Sequence, residues 1–415
     1  MNNQKEKLLR WIDEDQDRLI DFLSRFIQAK SPNPPGDTRT AANHICQFLD
    51  ENGLPNRIIA PQEDMPNVVG TFDCGSPGRH LVLNGHIDTF PVGEHEDWTY
   101  DPWSGTVTEG RIYGRGVADM KCGTSASIFT FAYLHRIRDE LKGRLTLTCV
   151  SDEETFGPWG ARYLIKHHPE VHGDCCLNGE PGSPYTIRFG EKGFLWIAFM
   201  IRTPGAHSAY SHLSPNANKI AGQLIAELET LTDLKIPIPE NIAVILKRAA
   251  KNIDRAQGKG AAEIVDKITV NIGTIHGGIK VNMIPGECNL EVDIRMPVGL
   301  DKEHVMAEVE KIVSRYPEVS YRELNDTPPS YCDPKGEMVN YLQVNAKQVS
   351  GIEPEAVTSL GGTDCRLWRY RNIPAYVYGP FPHNMGTADE YVEVEEYFKT
   401  VKVHVLSAYD YLNES

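Results

Sequence analysis

Leu81-Val-Leu-Asn-Gly-His-Ile-Asp88 joins a short aliphatic run to a histidine and an aspartate within one segment. Such a run, closed by a glycine, predicts a buried strand near 80–85. Two later segments repeat the arrangement: Leu145-Thr-Leu-Thr-Cys-Val150 leads into Ser151-Asp-Glu-Glu154, and a strand expected near 174–178 leads into Asn178-Gly-Glu-Pro181. Helical spacing fills the gaps, near 121–138 and 159–167. Alternating strands and helices imply a sheet with helices on its faces. In such sheets ligands collect outside the carboxyl ends of the strands, and His86, Glu153, Glu154 and Glu180 all fall there.

Working outward, Leu8, Leu9, Ile12, Leu19, Phe22, Leu23 and Phe26 predict helix over 5–29, which Ser31-Pro-Asn-Pro-Pro-Gly-Asp37 interrupts before a second helix ending near Glu51. From about 192 to 300 the pattern changes to strands near 193–201, 267–276 and 286–294 with a helix near 215–231. This stretch reads as an inserted α+β unit. Within it, Lys235-Ile-Pro-Ile-Pro-Glu240 and the polar run Asp254 to Glu263 read as mobile loops. After 301, helices over Lys302 to Tyr316 and near 337–349, then a strand Ala375-Tyr-Val-Tyr-Gly379, resume the first pattern. The expected division is therefore 1–190 and 301–415 for one α/β domain and 191–300 for the insertion. No internal repeat or low-complexity tract is present.

A chain of 415 residues exceeds one ordinary hydrophobic core, which agrees with two domains. Its 42 basic and 57 acidic residues give a net charge of −15, which opposes nucleic acid and anionic membrane surfaces as partners and favours a small-molecule substrate. No apolar run reaches the ~18 to 20 residues needed to span a bilayer. The N-terminal Met1-Asn-Asn-Gln-Lys-Glu-Lys7 opens a charged amphipathic segment without a signal-peptide core. With nine cysteines and no C-x-x-C spacing, the expectation is a cytoplasmic protein whose thiols are buried and reduced. Adjacent Cys175 and Cys176 read as strand packing rather than as a metal or redox pair.

Taken singly, each polar motif has a plain alternative. His86 and Asp88 could be a polar strand end, or a metal-binding imidazole with a carboxylate that orients its other ring nitrogen. Asp119, among Gly114, Gly116 and Gly123, could be a helix cap. The glycines do not form a phosphate-binding fingerprint, because no strong strand precedes them. Glu153 and Glu154 could be a solvated charge pair. Two adjacent carboxylates directly after an apolar strand are costly, however, unless a cation lies between them. One can then coordinate while the other remains a general base for a metal-activated water.

Eight ordered blocks give the chain its kinship. They are Asn84-Gly-His-Ile-Asp-Thr-Phe-Pro-Val92, Trp98-Thr-Tyr-Asp-Pro-Trp103, Gly110-Arg-Ile-Tyr-Gly-Arg-Gly-Val-Ala-Asp-Met-Lys121, Ser151-Asp-Glu-Glu154, His207-Ser-Ala209, Val281-Asn-Met-Ile-Pro-Gly286, Gly361-Gly-Thr-Asp364 and Asp389-Glu-Tyr-Val392. Across nearly its whole length the sequence resembles the metallopeptidase family of acetylornithine deacetylase, succinyl-diaminopimelate desuccinylase, aminoacylase and carboxypeptidase G. The resemblance implies a zinc-peptidase-like α/β catalytic domain, a mixed sheet flanked by helices, with an inserted α+β lid or dimerisation domain. It implies two divalent metal ions, zinc first and cobalt or manganese as substitutes. Asp119 would bridge them, with His86 and Glu180 on one ion and Glu154 and His383 on the other.

By the same resemblance Glu153 is the catalytic base, Asp88 holds His86, and the Asp119–Met120 peptide is cis. His207 would stabilise the oxyanion, delivered in dimeric members by the partner subunit. Asn282, Arg295, Gly362 and Thr363 would grip the substrate carboxylate, a task that suits the planar fork of arginine; for Arg295 a surface ion pair is the alternative. In relatives the last histidine ligand stands closer to the acidic block than His383 stands to Glu390, so this assignment implies a short insertion. The expected activity is hydrolytic removal of an N-acyl group from an amino acid or related small carboxylate by a homodimer. A di- or tripeptidase or carboxypeptidase with the same metal chemistry is the first rival. A catalytically silent binding protein is the rival of another class, and a nucleotide-binding oxidoreductase lacks its glycine loop.

Overall fold

Three parallel strands carry the deciding segments side by side. The computed structural model describes residues 3–93 and 97–413, so Met1 and Asn2 of the charged N-terminal segment lie outside the described residues. Strand Ser76–His86 runs parallel to Lys142–Val150 on one side and to Cys175–Asn178 on the other. His86 pairs in register with Val150, and Asn84 with Asn178. Glu180, two residues beyond Asn178, is thus level with His86, and Glu153 emerges three residues beyond Val150.

The full sheet has nine strands. Arg57–Ile59 and Asn67–Asp73 extend it beyond Lys142–Val150, while Ala375–Val377, Thr186–Glu191 and Ser330–Tyr331 follow Cys175–Asn178, with Glu355–Ser359 parallel to Thr186–Glu191. Mixed strand directions and covering helices make this the expected α/β architecture. Helix Cys122–His135 is buried from Cys122 through Leu134, so it lacks the polar face of a surface helix. It packs on the sheet beside the C-terminal helix Val394–Asn413, which touches both this helix and the sheet. Among the described residues no helix is long and apolar enough to cross a membrane. All nine cysteines are free thiols, and Cys175 and Cys176 are buried within their strand.

The C-terminal helix carries a buried histidine with a consequence for stability. His404 is fully buried, its Nε2 lies 2.6 Å from the Tyr378 carbonyl, and burial lowers its pKa to about 4. An unfolded histidine takes up its proton near the usual ~6.5, whereas the folded one stays neutral until about 4. Stability is therefore complete above the unfolded value and falls as pH drops between the two. We expect about 2 kcal/mol to be lost from this group between about pH 7.5 and about pH 5. Unfolding of the protein and of His404→Gln at both pH values measures it; equal losses in the two would refute the assignment.

The second domain is built on an antiparallel sheet in the order Thr269–Gly277, Glu287–Met296, Gly193–Arg202, Val319–Thr327. Helices Ala217–Glu229 and Lys302–Val313 cover it, and Leu195, Phe199, Leu224, Val292 and Val309 share its separate core. The antiparallel sheet extends through Thr327, beyond the expected boundary at 300, and the apolar face of Lys302–Val313 packs in this core.

A second difference lies inside the insertion. Segments expected to be loops flank and enter an 18-residue helix, Glu240–Gln257, followed by a short helix Ala261–Ile264. Ile242, Leu246, Ala249 and Ile253 form its buried stripe and join the core of the catalytic domain. Helical spacing is plain in these four residues, which lie between the two segments expected to be loops.

Candidate metal centre

His86 ends its strand with its imidazole oriented by the chain just beyond it. Nδ1 donates to the Asp88 backbone carbonyl at 2.9 Å, which leaves Nε2 as the lone-pair nitrogen. That nitrogen faces Asp119 Oδ1 at 3.1 Å and Glu180 Oε1 at 3.5 Å. Three groups with lone pairs converge, their candidate ligand atoms lying within 4.8 Å of one another. A shared cation, whether a metal ion or a proton on the imidazole, satisfies such a set of acceptors. Burial holds the His86 pKa down, but Glu180, Asp119 and Asp88 outweigh it and raise the pKa well above its ordinary value. Burial, and then Asp119, push Glu180 and Glu154 far upward. Glu154 Oε1 is buried with no hydrogen-bond partner. A mixed nitrogen and oxygen donor set of this kind suits zinc and its neighbours.

Asp119 arrives from a different part of the chain, and close backbone packing brings it there. It precedes the helix Cys122–His135, and its peptide bond to Met120 is cis, as expected. A Cβ on Gly123 would lie 1.8 Å from the Gly179 carbonyl oxygen, so only glycine lets the start of this helix approach the loop that carries Glu180. Glu390 fixes Asp119 from the other side. Its carboxylate accepts from the Ala118 N–H at 2.9 Å and the Asp119 N–H at 3.3 Å, while Arg115 pairs with its second oxygen at 2.9 Å.

Glu153 and Glu154 are held by Asp88. Its carboxylate accepts the Glu153 N–H at 3.3 Å, the Glu154 N–H at 3.1 Å and the Asn33 amide at 2.8 Å, and stands 3.5 Å from His86 Nδ1. Asp88 therefore ties the two glutamates to the histidine segment and meets the imidazole more closely through its carbonyl than through its side chain. Glu153 is buried, with Arg366 3.2 Å from its Oε1. Burial raises its pKa to about 8, against the lowering by Arg366 and with a further rise from Asp364, itself pushed up to about 6 by burial.

His383 stands apart from the group formed by His86, Asp119 and Glu180. Its ring stacks on Tyr391 at 4.4 Å, and its Nε2 lies 3.9 Å from Glu396, turned towards the C-terminal helix. His383 also pairs as a β-bridge with Tyr391, so the chain doubles back before Glu390. Residues 384–387 of this reversal line the cavity in its place through Asn384, Met385 and Thr387. Among the described residues, His86, Asp119 and Glu180 are the group of three that could hold a metal.

The expected carboxylate grip is divided. Gly362 and Thr363 line the cavity beside Asp119 and Glu180, but the Thr363 N–H and hydroxyl are committed to Glu191 at 3.0 and 2.9 Å. Arg295 pairs with Asp293 at 2.8 Å and stacks over Phe194 on the lid sheet. His207 and Asn282 are exposed neighbours elsewhere on the lid, where the Ser208 N–H donates to the Asn282 carbonyl. No contact links them to the metal group within the described residues of one chain. Sequence reasoning passed over Arg188, Arg366 and Glu390. The signal for Arg188 and Arg366 was a cation within an otherwise apolar or small-residue stretch, where burial demands an anionic partner.

Comparison with known proteins finds relatives over most of the chain. The model of Peptidase family M20/M25/M40 matches residues 82–410. Succinyl-diaminopimelate desuccinylase of Nitrosomonas europaea is 28% identical over 345 residues, covering 80% of this chain and 84% of that protein. The enzyme of the same name from Nitrosospira multiformis is 28% identical over 375 residues, covering 86% and 92%. Among solved structures, an M20 family metallo-carboxypeptidase from Sulfolobus solfataricus superposes with a TM-score of 0.81 at 19% identity, covering 95% of this chain and 99% of that one. A Bacillus subtilis protein described as a dinuclear metal-binding peptidase of family M20 gives 0.65 at 18% identity, covering 95% and 99%.

Proposed function

We infer the reaction from one premise: the chain belongs to peptidase family M20/M25/M40. It is a metal-dependent hydrolase acting on amides. Within that class the best-supported activity is removal of an N-acyl group from an amino acid or related small carboxylate. Relatives named desuccinylases, matched over most of both chains, support the acyl substrate. The observation that carries the reading is the convergence of His86, Asp119 and Glu180 at adjacent strand ends with the uncoordinated Glu153 beside them.

His86, Asp119 and Glu180 would hold one divalent cation, for which zinc is the first candidate and cobalt or manganese the substitutes. A second cation beside Asp119 and Glu154 would find oxygen donors alone from this chain, a set that suits a harder ion. When bound, the metal lowers the pKa of water towards ~7 and polarises the substrate carbonyl. Glu153 accepts the proton of the attacking water and returns it to the leaving nitrogen. Arg366 and the Asp88-held backbone keep that carboxylate aimed. Turnover of N-acyl amino acids by the metal-reconstituted protein tests the reading beside free dipeptides; hydrolysis of dipeptides alone would transfer the assignment to the peptidase rival.

His207 and Asn282 serve a second copy of the chain in this reading. The adjoining Ile279 and Val281 are 91% and 99% exposed, and Tyr210 and Leu213 are exposed too, which supports a covered surface in a homodimer. Sedimentation at micromolar concentration should give the dimer mass, and a monomer there would remove this part.

A further inference from the structure

The turn that carries Glu153 is held from a distant part of the chain. Residues 31–37 precede the stretch matched by the family model, which begins at residue 82. They run beside the strand end that bears His86. Pro32 pairs as a parallel β-bridge with Thr89, and the Asn33 N–H donates to the Thr89 carbonyl at 2.9 Å. In return the Thr89 N–H donates to the Ser31 carbonyl at 3.0 Å, and the Ser31 hydroxyl to the Ile87 carbonyl at 2.6 Å. These bonds fix the Asn33 backbone next to Asp88, with the asparagine side chain buried.

The Asn33 amide joins two buried carboxylates. Its Nδ2 donates to Asp88 Oδ2 at 2.8 Å and to Asp152 Oδ1 at 3.3 Å, so the two hydrogens of one nitrogen serve both. Asp88 in turn accepts the Glu153 and Glu154 N–H groups, while Asp152 accepts the Thr155 hydroxyl at 2.6 Å and the Trp159 N–H at 3.0 Å. Asp152 itself sits at φ 67°, a conformation that a residue other than glycine keeps only when its surroundings hold it. Asn33 therefore closes a ring of bonds around residues 151–154. Without a donor between them, the two carboxylates would repel and each would lose a partner in a buried place. Both attach directly to the turn, so a shift of either moves Glu153.

We propose that Asn33 is a positioning residue for the reaction: by bridging Asp88 and Asp152 it sets the direction in which the Glu153 carboxylate meets the attacking water. This rests on the reading of Glu153 as the base. Asn33 acts through Glu153.

The test uses the full-length, metal-loaded protein and whichever N-acyl amino acid or dipeptide the parent cleaves fastest. Asn33→Asp keeps the size and removes both amide hydrogens. It should lower kcat by about 10-fold to 10²-fold, with KM within about twofold of the parent's and the same metal content. Asn33→Ala, which adds no charge, should act in the same direction and serves where the aspartate variant does not fold. The deciding measurement repeats both substitutions in the Glu153→Gln background, where the aim of the side chain no longer matters; the further loss there should be less than about twofold. A residue that merely held the fold would impose the same loss in both backgrounds and lower the melting temperature with it. Equal losses in the two backgrounds would overturn the proposal, as would a parental kcat in both variants or the departure of metal together with activity; each of these leaves the hydrolase reading standing. A metal-loaded parent that cleaves no amide would remove that reading and this proposal together.

Discussion

Replacement of Glu153 by Gln is expected to lower kcat by about 10²–10⁴-fold while the metal stays bound. The side chain is buried, stands outside the His86, Asp119 and Glu180 group, and is held by backbone contact with Asp88 and by Arg366. Glutamine keeps the size and retains an oxygen that can accept from Arg366, so the loop should keep its course. What it loses is the capacity to take a proton from water. Steady-state rates with metal analysis of the same sample read both quantities. A variant within tenfold of the parent rate would eliminate Glu153 as the base.

Asp119→Ala should have the opposite signature, with metal and activity lost together. Asp119 Oδ1 lies 3.1 Å from His86 Nε2, and its charge is the largest electrostatic influence of any neighbouring side chain on both Glu154 and Glu180. Without it the ligand set falls to His86 and Glu180, too few for tight tetrahedral binding. The fold should survive, since Glu390 holds the backbone N–H rather than the side chain. We expect metal content after dialysis to fall below about a tenth of the parent's and turnover to approach background, on the reasoning that structural metal sites need their full donor set. Stoichiometric metal in a soluble Asp119→Ala protein would refute the assignment.

The parts of the site legible in the sequence are those in which strand and ligand lie within a few residues of one another. Leu81 to His86, Leu145 to Glu154 and Cys175 to Glu180 each announce a strand and then its functional end, and parallel register brings the three ends level without further information. The placement of His383 was not legible because it depends on a chain reversal. Asn384, Gly386 and Asp389 all adopt positive φ, and this turns His383 onto Tyr391. Arg188 and Arg366 were overlooked for a related reason: their roles depend on long-range neighbours, Glu180 and Glu191 in one case and Glu153 in the other, that spacing along the chain does not reveal. The helix Glu240–Gln257 was hidden by composition, its apolar stripe diluted by lysine, arginine and asparagine on the outer face.

That helix alters the mechanics of the molecule. An insertion normally meets its host at two points and can swing about them like a door. Here the polypeptide passes between the two cores near 192, again between Ile236 and Ile242, back between Val265 and Ile268, touches the first core once more at Val298, and leaves the second beyond Val319. The second domain is therefore tied to its host by additional short segments anchored through Ile242, Leu246 and Ile253, which restrains any swing about its two ends.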